Sequence, residues 1–167
     1  MTRSFLFLSC ITFAACSGDD GGATIDSGTA IDAPAGGCQA ICNTLTLPAV
    51  VTKTANPAPR PAFTGGAITD GTYGVTAIVT YGTTTPGGVT VQETYKFAGG
   101  SIETAIDSSE AAEMRFCGTY TTAANMVTFN VTCPLTRSIS LEYTATSTTF
   151  AFQHGSDQNE VATAVRQ

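Results

Sequence analysis

The sequence predicts an all-β fold, in which an antiparallel up-and-down meander of about eight strands forms a small β-barrel behind a flexible N-terminal tether. Composition is the first reason, because 30 threonines stand against 2 lysines and no tryptophan, and only 12% of the residues are charged. Threonine, valine, isoleucine, tyrosine and phenylalanine favour pleated, half-buried surfaces. Alternation is the second reason. From residue 67 onward, apolar side chains alternate with Thr, Ser and Gln, and this period of two is typical of strands with one buried face.

Residues 1–15 have the pattern of an export signal. Arg3 precedes an apolar run over residues 5–15. The run is shorter than the roughly 20 residues that a membrane-spanning helix needs. A charged start followed by a short apolar run is typical of a secretory signal, so we expect a signal peptide that is removed on export.

The end of this run resembles the lipobox of bacterial lipoproteins, because the small residues Ala14 and Ala15 precede Cys16. The resemblance implies that Cys16 carries acyl chains such as palmitate and becomes the first residue of a membrane-anchored protein. Ser17 stands where an Asp would retain a lipoprotein in the inner membrane, so the resemblance implies the outer membrane, on its periplasmic or cell-surface face. The alternative is an ordinary secretory signal that leaves Cys16 unmodified.

Residues 16–37 are expected to provide the lipid anchor and a disordered acidic tether. Residues 17–37 contain six Gly and four Asp but no Lys or Arg. Such a segment cannot bury enough apolar surface to offset the entropy lost on ordering. The aspartates lack the spacing of a calcium-binding loop, so the sequence favours a solvated spacer over a metal site.

The domain expected over residues 38–167 holds four cysteines, Cys38, Cys42, Cys117 and Cys133. An even number in an exported chain predicts two disulfides, and the spacing does not fit a zinc site. If the first pair lies on a helical turn, both members share one face and reach across to the later pair. The alternative is a bond within the later pair, which the alternation disfavours unless a bulge intervenes.

The proline-rich segment over residues 54–66 is expected to cross one end of the barrel. Pro57, Pro59 and Pro61 occupy alternate positions, and proline at this spacing enforces an extended run. The alternative is that this run is a ligand for a proline-binding domain.

Eight strands are expected to close the barrel, seven of them after residue 67 and one from residues 48–53. Turn signals such as Gly99-Gly100 and Ala124-Asn125 separate the alternating runs. Short connections favour sequential hairpins. Closure by eight strands leaves no free sheet edge.

Two short motifs resemble lipocalin-like barrels. Gly71-Thr72-Tyr73 resembles the opening of the first lipocalin strand, and Gly118-Thr119-Tyr120 followed by Val127-Thr128-Phe129 resembles a hairpin of small lipocalin-like lipoproteins. Together with the tether and Cys133-Pro134, the layout is similar to that of cell-surface lipoproteins of myxobacteria. The resemblance implies a small apolar ligand inside the barrel.

Six residues are expected to line such a ligand site. Five are aromatic residues of the predicted strands. Glu93 shares the parity of the apolar residues around it, so its carboxylate faces either the lumen or the solvent near the barrel mouth. The six are Tyr73, Glu93, Tyr95, Tyr120, Phe129 and Tyr143.

The sequence gives no reason to expect catalytic residues, metal ligands or a cofactor. His154 is the single histidine and adjoins Gly155, which predicts an exposed turn, and no nucleophile elbow accompanies it. Residues 107–110 are expected to form a turn that caps a short helix over residues 110–113. Arg115 is expected to face solvent.

These expectations favour a non-catalytic, surface-anchored module that interacts with a surface protein partner, and the alternative is a barrel that binds a small apolar ligand. The net charge of -6 and the lack of a basic stripe argue against nucleic-acid binding. The barrel interior distinguishes the two functions. A lumen filled by side chains would favour the interaction module, and a cavity would favour ligand binding.

Overall fold

The alternating runs of the sequence form β-strands. The structure, a computed structural model, describes residues 42–85, 87–155 and 158–167, and the described part contains strands and turns but no helix. All of its elements belong to the compact unit Gly37–Gln167. The strands are β1 (Val51–Thr52), β2 (Thr54–Asn56), β3 (Gly71–Tyr81), β4 (Thr90–Ala98), β5 (Ser101–Ser108), β6 (Ala111–Ala123), β7 (Met126–Cys133), β8 (Arg137–Ala145), β9 (Thr149–Gln153) and β10 (Glu160–Arg166).

Strands β3 to β10 form a closed antiparallel barrel. Each strand pairs with the next along the chain, and β10 returns to pair with β3. This confirms the predicted eight-stranded up-and-down barrel. The period of two is clearest in β7, where Val127, Phe129 and Val131 are buried and the residues between them are not.

The origin of the eighth strand was predicted wrongly. All eight barrel strands follow residue 67, and residues 48–53 supply only the two-residue β1, which lies outside the set of eight. Strand β5 has only two large apolar residues, Ile102 and Ile106, and its burial is completed by Thr104 and Ala105. Because threonine is polar and alanine is small, their burial is not visible in the alternation of large apolar residues.

The seam between β3 and β4 is short. Only Gly71–Gly74 of β3 pair with residues 94–97 of β4. Beyond that point, residues 51–56 lie between the two strands. Their first part (β1) pairs with β4, and their second part (β2) pairs in parallel with β3. The barrel wall is therefore completed on one side by an N-terminal segment.

The same segment begins on the outside of the barrel. We call residues 42–56 the strap. The Asn43 amide donates hydrogen bonds to the carbonyls of Thr104 (3.0 Å) and Phe116 (2.8 Å). Arg115 donates to the Leu45 carbonyl at 2.9 Å, so it holds the strap, contrary to the prediction that it faces solvent alone.

One barrel end is covered by the segment between the strap and β3. We call it the closed end. Gly65 pairs with β8 through the Tyr143 carbonyl (2.8 Å) and the Ala145 amide (2.9 Å). The prediction that residues 54–66 cross this end was wrong for residues 54–56, which form β2 in the barrel wall. Glycine is required at Gly65 because φ is +73° and an added Cβ would lie 2.2 Å from the Ala124 carbonyl oxygen.

The predicted helix over residues 110–113 is absent, and β6 begins there at Ala111. The Ser108 hydroxyl accepts hydrogen bonds from the amides of Glu110 and Ala111. A serine in this role is common to helix caps and tight turns. Here it closes the β5–β6 hairpin.

A disulfide joins Cys42 of the strap to Cys133 at the end of β7. A bulge at Cys117 and Gly118 places Cys117 opposite Cys133. The prediction that strand alternation keeps these two cysteines on different faces was therefore wrong. Cys117 carries a free thiol in this structure. Cys38, the expected fourth partner, lies outside the described residues, as do the export signal and the tether.

Among the described residues, none belongs to a helix with the length and apolar character needed to cross a bilayer.

Candidate functional site

The barrel contains a cavity of about 360 Å³. It lies toward the end formed by the β5–β6, β7–β8 and β9–β10 connections, which we call the open end. Its wall is mostly apolar because inward positions of five neighbouring strands meet there. The apolar lining residues are Ile102, Ile106, Met114, Phe116, Phe129, Val131, Ile139, Leu141 and Phe152.

The cavity reaches the surface at the open end. Met114 and Arg137 line it and are exposed to solvent, and Met114 is 42% exposed. Cross-strand pairing fixes the wall between them, since Ile106 lies opposite Met114 and Phe129 lies opposite Ile139. A ligand can therefore enter beside an apolar rim.

Aromatic side chains fill the closed end. The Tyr73 hydroxyl donates to the Thr69 carbonyl and the Tyr143 hydroxyl donates to the Gly66 carbonyl, both at 2.7 Å. Phe97 packs edge to face against Tyr73 and Tyr120, with ring centroids 5.7 and 5.1 Å apart. These contacts fill the lumen with side chains at the closed end.

A buried polar cluster lies beside the cavity. The His154 ring donates from Nε2 to Glu93 at 2.6 Å and contacts Glu160 through Nδ1. The Tyr95 hydroxyl donates to the second Glu93 oxygen at 2.8 Å. Lys53 of the strap lies 2.9 Å from Glu160. The side chain of Glu93 is only 3% exposed, so its carboxylate depends on these partners.

Opposing effects set the charge of this cluster. Burial lowers the pKa of His154, but hydrogen bonds and negative charges from Glu93 and Glu160 outweigh burial, and the net pKa is raised above 6.5. Burial raises the pKa of Glu160, but hydrogen bonds and positive charges from Lys53 and His154 outweigh it, and the net pKa is lowered. Burial and the Glu93 carboxylate both raise the pKa of Tyr95, which keeps this hydroxyl a donor.

With His154 protonated, two cations balance two carboxylates. Both ring nitrogens of His154 are held by carboxylates, so neither is directed at a molecule in the cavity. The cluster therefore supplies a neutral polar wall. A general base needs a nitrogen or oxygen free to reach a substrate proton, and the described cluster offers none on His154.

Three sulfur atoms meet at the edge of the cavity. Those of Cys42, Cys117 and Cys133 lie within 4.8 Å of one another, and Cys117 also lines the cavity. Two of the three are bonded to each other. Metal binding requires thiolates, so this group is not a ligand set while the disulfide is intact.

Three of the six expected lining residues lie on the cavity wall, namely Glu93, Tyr95 and Phe129. Glu93 faces the lumen rather than the solvent. Tyr73, Tyr120 and Tyr143 are not among the lining residues, because they belong to the packing at the closed end. Alternation gives the face on which a side chain lies but not its height along the barrel.

The prediction for His154 was wrong. Its side chain is only 14% exposed and bridges two carboxylates. Part of the signal was available in the sequence, because Glu93 lies between Val91 and Tyr95 at inward-facing positions of β4. Glu160 carries no such signal, since it is the first residue of β10. Two buried carboxylates require cationic partners, and His154 and Lys53 are those partners.

In comparisons with protein-family models, with curated proteins and with solved structures, nothing matches this chain.

The polar cluster predicts that the stability of the fold decreases both at high pH and at low pH. The raised pKa of His154 gives stability that is complete below about pH 6.5 and is lost as the pH rises through the folded-state value. The lowered pKa of Glu160 gives stability that is present above about pH 4.5 and is lost as the pH falls through its folded-state value. Thermal unfolding should therefore show the highest Tm between these limits.

His154→Gln tests the alkaline side of this profile. The variant should be less stable at pH 6 and should lose the wild-type decline above about pH 6.5. Because His154 is the single histidine, its ring protons give one NMR titration curve in the wild type. A titration midpoint at or below 6.5, or an unchanged Tm profile in the variant, would contradict this account of the cluster.

Proposed function

We propose that this protein is a non-catalytic binding protein whose barrel holds a small, mostly apolar ligand. The cavity of about 360 Å³ carries the proposal, because small-molecule sites are concave, mostly apolar spaces of about 300–1,000 Å³. The lipocalin-like motifs around Tyr73 and Tyr120 support the same function by resemblance.

The cavity wall suits an aliphatic or aromatic body. Each buried CH₂ group contributes about 0.8 kcal/mol, so a chain of about ten carbons gains roughly 8 kcal/mol before the costs of association. Those costs take up several kcal/mol. We therefore expect dissociation constants in the micromolar range or above for simple ligands.

An interaction module without a ligand is the second candidate, and the Thr-rich outer face supports it. The apolar cavity supports ligand binding as the first proposal, because a barrel that serves only as a surface module has no need of such a cavity. The large apolar side chains that are exposed in the described part are Val50, Met114, Leu135 and Val165. Met114 belongs to the cavity rim, so part of this apolar surface is explained by ligand entry.

We also propose that the protein is exported and held at the outer membrane by acyl chains on Cys16. This proposal rests on the lipobox resemblance of Ala14, Ala15 and Cys16. Two or more acyl chains anchor a protein stably.

In a bacterial host, a fatty-acid analogue should label the wild type and not Cys16→Ala, and labelling that persists in the variant would reject the anchor.

A matched pair of tryptophan variants tests ligand binding. Ile139 lines the cavity and its neighbour Ser140 faces outward. Binding is followed by the fluorescence of the neutral apolar probe N-phenyl-1-naphthylamine. We expect Ile139→Trp, which places an indole in the lumen, to weaken the affinity at least about tenfold, a change of about 1.4 kcal/mol. Ser140→Trp should bind as the wild type does.

The far-ultraviolet circular dichroism and Tm of both variants establish that they fold. A folded Ile139→Trp that binds the probe as tightly as wild type would contradict binding in the lumen. So would a wild-type protein that binds no probe at all.

A further inference from the structure

Arg137 is a cation at the rim of the cavity. It is the first residue of β8, it lines the cavity and it is exposed. Its guanidinium carbon lies 4.7 Å from the ring centroid of Phe116, which is itself a wall residue. The ring fixes one face of the guanidinium by a cation–π contact and leaves the N–H groups at the edge of the plane for another partner.

The cavity holds two groups that can carry positive charge, and only Arg137 lacks an acidic partner within the described part. His154 lies between Glu93 and Glu160. Away from the cavity, Arg115 pairs with Glu113 at 2.6 Å and Arg60 pairs with Glu142 at 2.8 Å. The positive charge of Arg137 is therefore available to a molecule in the cavity.

Among the residues that the structure describes, the acidic groups near this end do not compete for that position. Glu93 lines the cavity, but both of its oxygens accept hydrogen bonds from protein donors. Glu113 is held by Arg115, and Glu110 lies in the exposed β5–β6 turn and is not a lining residue. One end of the cavity is thus apolar and packed, while its rim presents a cation.

We propose that the ligand is an anionic amphiphile, with a carboxylate head on Arg137 and an apolar chain in the lumen. This inference rests on the ligand-binding function proposed above. A guanidinium matches a carboxylate with two parallel N–H···O bonds. Because the net charge of the chain is -6, the general field of the protein opposes an anion, and the local contact of Arg137 is what selects it.

Three ligands with the same chain length and different heads test this inference. Decanoate, decanol and decylamine each compete with N-phenyl-1-naphthylamine for the full-length protein at neutral pH. We expect the wild type to bind decanoate about two- to fivefold more tightly than decanol, the range expected for an ion pair at an exposed rim. The preference should shrink at high salt, because salt screens exposed charges.

Arg137→Gln should reduce the ratio of decanoate affinity to decanol affinity to about one, and the decanol affinity of the same variant corrects for any change in the cavity wall. Arg137→Lys should keep part of the preference for decanoate, because a lysine retains the charge but not the planar fork. Arg166→Gln is the matched control. It makes the same change in net charge at an exposed residue that does not line the cavity, and it should keep the full preference.

Equal affinity for the three ligands in the wild type, or a preference for decylamine, would overturn the carboxylate head group while ligand binding itself stands. So would an Arg137→Gln protein that still prefers decanoate. Decanol binding by each variant shows that its lumen is intact. A wild type that binds neither the probe nor any of the three ligands overturns the binding function and this inference with it.

Discussion

The short seam between β3 and β4 is the constraint on which the rest of the structure depends. Only four residue pairs join these strands, all near the closed end. Toward the open end the strands separate, and the strap lies between them through β1 and β2. The strap therefore completes the wall toward the open end, the end at which the cavity lies.

The strap also supplies charge to the lumen. Lys53 lies between its two short strands and reaches Glu160 on β10. Glu160 holds His154, and His154 holds Glu93 on β4. This chain of contacts joins the strap to β4 on one side of the seam and to β10, the neighbour of β3, on the other. The disulfide between Cys42 and Cys133 ties the start of the strap to β7. The barrel wall and the polar cluster therefore both include residues of one N-terminal segment.

Local patterns in the sequence were enough to predict the barrel, but not the strap or the cluster. Strands such as β7 are visible because each inward residue is apolar and each outward residue is polar. The strands β1 and β2 span two and three residues and pair with distant strands, so no local period reveals them. His154 and Glu93 are 61 residues apart in the chain, and only barrel closure brings them together. The cavity depends on how side chains fit at one height of the barrel, and alternation carries no information about height.

The most direct test of the account is to locate a neutral probe inside the folded protein. Solution NMR with labelled isoleucine, leucine and valine methyl groups reports which side chains lie near bound N-phenyl-1-naphthylamine. Binding in the lumen predicts contacts from the probe to the methyl groups of Ile102, Ile139 and Leu141, which line the cavity. Contacts confined to exposed residues such as Val50 and Leu135 would contradict it, because the probe would then lie on the outer surface and not in the lumen.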